Sequence, residues 1–230
     1  MQDRQQFKRA AMAYLNQWQT TDRLHLAAVA AAGQSDSALA EALLEVATEY
    51  RVARVFGGKE LVGTREDATA AFAKTTRDFM AAAGSLNEKV WVFAKSIGAS
   101  FPKKGGKKPT QLSAATKILW FSGQHDVRIF DDFAYKALFG KKHYGELLES
   151  EWISFGSVWN HQYEAARLDV EYAVDQLRQD VGAILDWSLA SENRAAAIAA
   201  MGENWFAHRV FDKFLWLKGA SWKPKPRRSR

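Results

Sequence analysis

The sequence predicts an all-α fold. Apolar residues recur at helical spacing along nearly the whole chain, strand-type alternation is nearly absent, and the predicted helices carry caps and terminators at their ends. Phe7, Ala11, Tyr14, Leu15 and Trp18 share one face of a first helix, which is expected to stop near Thr20 and Thr21. A short second helix runs from about Asp22 to Gly33. Ser35, Asp36 and Ser37 then offer caps for a longer helix, in which Leu39, Leu43, Val46, Tyr50 and Val52 keep the period until Gly57 and Gly58. Thr64 to Gly84 reads as another helix, with acids in its first turn and a terminal glycine. Ser85 and Glu88 form a capping box ahead of Val90, Trp91, Phe93 and Ile97.

After Gly98 the composition turns abruptly to Pro, Gly and Lys in FPKKGGKKPT (101–110), the one strong loop signal in the chain. Helical spacing resumes over 111–121 through Leu112, Ala115, Ile118 and Leu119, and SGQHDVRIF interrupts it. A short helix starts at Asp131 or Asp132. From about His143 to Trp187 the pattern is helical again, with Trp152, Phe155, Trp159 and Tyr163 as core or groove aromatics. The last helix, 203–217, carries Trp205, Phe206, Val210, Phe214 and Trp216 and leads into a basic tail, 221–230.

With 230 residues, 47% of them hydrophobic, nine Trp and fourteen Phe, there is ample material for a buried core. No apolar stretch approaches the roughly 18–20 residues of a membrane span, and the charged amino terminus is not a signal-peptide pattern. A cytoplasmic setting with no membrane partner is expected. The absence of cysteine excludes disulfides, thiol catalysis and thiolate metal sites together.

The net charge of +6 is unevenly distributed. Lys103, Lys104, Lys107 and Lys108 fall in the loop, and Lys223, Lys225, Arg227, Arg228 and Arg230 in the tail, with no acid in either segment. These nine cations exceed the net charge, so the other 210 residues carry −3. Two short basic segments on a slightly acidic body suit a polyanion, nucleic acid first and a membrane surface second; the plain alternative is a solvating loop and tail.

The usual chemical signatures are missing: no HExxH, no P-loop, no GxGxxG. His25, His125, His143, His161 and His208 show no ligand spacing, so neither a metal nor another cofactor is assigned. What remains is a Gly/Lys-rich loop, a helix, and a turn delivering Asp131 and Asp132 to a helix start. A loop feeding a helix amino terminus presents N–H groups and a positive dipole to phosphate. For the carboxylates, simple capping is the alternative reading.

The segment LSAATKILWFSGQHDVRIFDDFAYKAL (112–138) resembles the second helix of a helix-hairpin-helix, with the following loop and acidic helix, of the DNA glycosylase superfamily that contains 8-oxoguanine glycosylases. The likeness is closer to a bacterial branch of 8-oxoguanine glycosylase fold, to which WFAHRVFDKFLWLKG (205–219) is also similar. The resemblance implies a two-lobed helical architecture, with residues 1–98 and 141–220 in one lobe, 99–140 in the other, and a cleft between. It also implies that the hairpin (Lys103, Lys104, Gly105, Gly106, Lys107, Lys108), helped by Lys117, grips a DNA backbone. Asp131 then stands at the catalytic aspartate position, and Trp120, Phe133 and Trp159 are candidate walls of a base pocket, with Phe130 and Trp152 further candidates; ordinary core is the alternative for each. Two departures matter. Gly105 and Gly106 are adjacent, with Lys107, Lys108 and Pro109 before the helix, and the position nineteen residues before Asp131, where bifunctional members place a Schiff-base lysine, is Leu112. The implied activity is therefore monofunctional base excision, unless Lys108 or Lys117 supplies an amine from another position. The second implication is a non-catalytic relative that binds nucleic acid or a protein partner, in the setting of phage-defence or nucleotide-modification systems.

Overall fold

The computed structural model describes residues 2–52, 73, 76–79, 84–100, 110–141, 147–185 and 191–221. Among them there is no strand. The helices are α1 (Gln2–Gln17), α2 (Arg23–Ala32), α3 (Asp36–Glu49), α4 (Leu86–Ser100), α5 (Leu112–Phe121), α6 (Asp132–Phe139), α7 (Glu149–Leu185), α8 (Ser191–Met201) and α9 (Asn204–Ala220). The all-α class is as expected. The chain forms two compact units, one of residues 1–19, 131–145 and 157–230, the other of 20–130 and 146–156. The sequence divides between Phe130 and Asp131, and α7 contributes to both units.

The second unit is built around α5. Every residue of this helix except Ser113 is buried, as an apolar-all-round sequence requires, and α2, α3 and α4 pack on it. Ile118, Leu119 and Phe121 are at most 1% exposed, and each such side chain contributes about 1.5–3 kcal/mol on leaving water. The amino-terminal end of α7 closes the same unit: Trp152 donates its indole N–H to the Asn87 carbonyl at 3.0 Å, and Phe155 meets Phe130 edge-on at 5.1 Å.

The first unit is aromatic. α9 packs on α1, α6 and α8, pairing Phe7 with Phe214 at 4.5 Å and Tyr14 with Phe206 at 4.9 Å. Trp159 and Tyr163 of α7 stack at 5.2 Å in this core.

Several boundaries differ from the sequence reading. At Thr20 and Thr21 the backbone does not stop but widens into a π-helical turn, Trp18–Asp22, which leads directly into α2. The extra residue of a π turn shifts the register of the helix downstream of it, and Asp22 is thereby fully buried and accepts a hydrogen bond from the Tyr50 hydroxyl. α3 ends at Glu49 rather than at Gly57. Of the helix predicted over 64–84, Ala73 and 76–79 are described and helical, Gly84 is a bend with φ 118°, and the other residues lie outside the described ones. α4 continues through Gly98 to Ser100. α7 begins at Glu149, where the Glu151 carboxylate accepts from the Leu148 N–H at 2.9 Å.

Candidate functional site

The basic loop lies between α4 and α5. Lys103, Lys104, Gly105, Gly106, Lys107 and Lys108 are outside the described residues, but the flanks of the loop are well defined. The Gln111 N–H donates to the Ala94 carbonyl at 3.1 Å, which ties the chain entering α5 back to α4. Gln111 occupies the cap position of α5 with no side-chain cap hydrogen bond.

Lys117 points away from any backbone-gripping role. It is 5% exposed, and its ammonium donates to the Ser113 hydroxyl at 2.8 Å, the Ser113 carbonyl at 3.2 Å and the Phe130 carbonyl at 3.3 Å. One residue earlier, Thr116 Oγ1 accepts from the Phe130 N–H at 3.1 Å. Both polar groups of the Phe130 backbone are thus satisfied by α5, which burial demands, and Val127, Ile129 and Phe130 anchor the irregular segment after Phe121.

Asp131 follows as the cap of α6. It is extended (φ −148°, ψ 146°), and its Oδ1 accepts from the Phe133 N–H at 2.7 Å. This is the geometry of a helix cap. Asp132, in the first turn of α6, is exposed.

The three aromatics proposed as pocket walls stand in different surroundings. Trp120 is 1% exposed, packed against Phe121 and His125 with ring centroids 4.9 Å away in each case. Trp159 is fully buried and donates its indole N–H to Asp212 Oδ1 at 2.8 Å. Phe133 is half-buried and faces Trp216 at 5.3 Å. Phe133 and Trp159 belong to the first unit and Trp120 to the second; Trp120 and Trp159 are core.

Two arrangements in the first unit escape the sequence reading. Asp212 Oδ2 accepts from Arg209 at 3.2 Å inside the core, and the Arg209 guanidinium lies 5.2 Å from the centre of the Tyr14 ring. The Asp212 carboxylate therefore holds Trp159 and Arg209 with one oxygen each. Breaking one side of such a buried pair leaves an uncompensated charge and costs about 3–5 kcal/mol. The second arrangement is on the surface. Trp216 is 39% exposed, with the Lys213 ammonium 5.0 Å from its ring centre, and Lys136 stands 4.5 Å from the centre of Phe133. The one signal in the sequence was the lack of any acid from Lys213 to the carboxy terminus, but an aromatic at helical spacing does not announce whether it faces in or out.

Among the described residues no three His, Asp or Glu side chains group so as to hold a metal ion, and no helix is long and apolar enough to cross a membrane. Compared with family models, with curated proteins and with solved structures, the chain matches none.

Proposed function

We propose that the protein binds nucleic acid through the phosphate backbone, using the lysine-rich loop 101–110 as its principal contact, without excising a base. The observation that carries this reading is the concentration of charge: four lysines and no acid in ten residues, on a chain whose net charge without loop and tail is −3. Such a segment releases condensed counterions when it meets a polyanion, which makes binding favourable and strongly salt-dependent. The tie between Gln111 and Ala94 supports it, because a loop whose ends are held presents its cations at lower entropic cost than a free segment.

The absence of excision from the proposal rests on what the candidate residues already do. Asp131 uses an oxygen to cap α6, and Trp120 and Trp159 fill cores rather than line an opening. Base excision requires an open aromatic slot and a carboxylate facing the sugar.

The test is binding of the purified protein to duplexes carrying 8-oxoguanine, an abasic-site analogue or no lesion, with base release followed in the same samples. Salt-dependent binding that ignores the lesion, lost on replacing Lys103, Lys104, Lys107 and Lys108 by Gln, is expected. Lesion-selective base release that disappears in Asp131→Asn would instead establish excision; Asn caps a helix as well as Asp does, so that variant isolates chemistry from folding.

A further inference from the structure

The surface formed by α6 and α9 combines exposed aromatics with cations. Gly219 is buried where α9 meets α6, and a Cβ there would lie 1.9 Å from the Phe133 carbonyl oxygen, so this glycine is what allows the two helices to approach so closely. Because they do, Phe133 and Trp216 meet edge-on at 5.3 Å, with an interplanar angle of 80°. An edge-on partner supports the indole and leaves 39% of the residue in solvent, with Leu217 beside it in sequence 37% exposed. Two cations accompany the rings: Lys136 over Phe133 at 4.5 Å and Lys213 over Trp216 at 5.0 Å; Lys218 lies instead over Phe214, which packs on Phe7 of α1. Lys213 is further steadied by the Gln17 side-chain carbonyl at 2.8 Å.

From Lys213 onward the sequence carries charge of one sign. From Lys213 to the end the chain holds Lys213, Lys218, Lys223, Lys225, Arg227, Arg228 and Arg230 and no acid. The nearest preceding acid on the helix, Asp212, is buried against Arg209. At the start of α6 the opposing charges are Asp132, next to Phe133, and the capping Asp131, whose Oδ1 accepts from the Phe133 N–H.

An aromatic face held rigid by a neighbouring ring and bordered by lysines is the combination that binds unpaired bases: the ring stacks on a base of any identity, and the ammonium groups meet the flanking phosphates. A base-paired duplex cannot offer its base faces to such a ring. We infer that the α6–α9 surface is a binding platform for single-stranded nucleic acid, with Trp216 as the stacking residue and Lys136 and Lys213 as phosphate contacts. For its ligand class this rests on the nucleic-acid reading above, and it adds a second surface with a different strand preference.

The experiment measures fluorescence anisotropy of labelled oligothymidylate and of a labelled duplex of equal length. It uses the intact chain, Trp216→Ala, Trp216→Phe, and the variant with the four loop lysines replaced by Gln, each checked for helix content. The intact protein should bind the single strand, Trp216→Ala should weaken that binding about tenfold, and Trp216→Phe should recover most of it. Duplex binding should change little in Trp216→Ala and fall in the loop variant. Unchanged single-strand affinity in Trp216→Ala overturns the platform while leaving the loop reading standing, and failure of the intact protein to bind either probe overturns both. Should Trp216→Ala lose helix content, Lys136→Gln combined with Lys213→Gln decides instead, and undiminished single-strand binding in that variant overturns the platform. Equal competition by a polyglutamate peptide also overturns it, since that would mark an acidic protein surface as the partner.

Discussion

Arg51 occupies the left-handed region, with φ 55°. It stands at the position after the α3 cap: the Val52 N–H reaches the Ala47 carbonyl at 2.8 Å and the Arg51 N–H the Thr48 carbonyl at 3.0 Å, which closes α3 as a Schellman motif. A side chain at that φ carries a strain of about 1–2 kcal/mol, part of which glycine returns in unfolded-state entropy. Arg51→Gly is therefore expected to stabilise the protein by about 0.5–1 kcal/mol, measured by urea unfolding; a lower midpoint would mean that the arginine side chain compensates its own strain. Glu88 supplies a second case. Its carboxylate accepts from the Ser85 hydroxyl at 2.7 Å and the Ser85 N–H at 3.0 Å, and these bonds hold its pKa below the ordinary glutamate value. A depressed folded pKa means that the contribution of this group is complete above the unfolded glutamate value and is lost as pH falls through the folded one. Carboxyl-resolved NMR titration should show a midpoint below that of a free glutamate, rising part of the way back when Ser85 is replaced by Ala, since the backbone N–H bond at position 85 remains.

Between helices, α9 approaches α6 closely at Gly219. Since the opposing atoms belong to the Phe133 backbone, they cannot rotate away as a flexible side chain would. Gly219→Ala should cost about 1–3 kcal/mol through overpacking, read as a lower thermal midpoint, and should weaken single-strand binding by displacing Phe133 from Trp216. A midpoint equal to that of the unsubstituted chain would show that α6 shifts without cost. α7 illustrates a different constraint. One uninterrupted helix sends Trp152 and Phe155 into one compact unit and Trp159 and Tyr163 into the other, so a single apolar stripe serves two cores.

Across the protein, charge separates from packing. The two cores hold few ionised groups, each engaged: Asp22 with Tyr50, Lys117 with Ser113 and Phe130, Arg209 with Asp212. Exposed cations occur elsewhere too, at Lys8, Arg9, Arg51 and Lys95, but the loop and the tail are where they cluster without any acid. Log affinity for duplex DNA falls against log salt with a slope of about −0.9 per phosphate neutralised. Removing all four loop lysines should make that slope shallower by up to about 3.6, whereas Lys117→Gln should leave the slope unchanged while lowering stability. A slope that does not respond to the loop variant would place the duplex contact elsewhere.

The all-helical class, the capping box at Ser85 and Glu88 and the break after Phe121 were legible because each is local: a period of 3.6, a hydroxyl three residues before a carboxylate, a Ser-Gly pair that cannot continue a helix. The end of α3 was not, because its left-handed residue is an arginine and no glycine marks it. The π turn at Thr20 and Thr21 was not, since its widened register serves the burial of Asp22 against Tyr50, 28 residues away. The destination of the aromatics depended on tertiary packing alone. Trp159 and Trp216 both lie at helical spacing, and only the placement of α9 on α6 and α1 turns one into the core onto Asp212 and leaves the other at the surface beside Phe133. Lys117, indistinguishable in sequence from a surface lysine, is inside because α5 is enclosed by α2, α3 and α4 and the Phe130 backbone needs a donor there. Periodicity identifies which residues share a face; whether that face is covered depends on which other helices reach it, and that is decided by contacts distant in sequence.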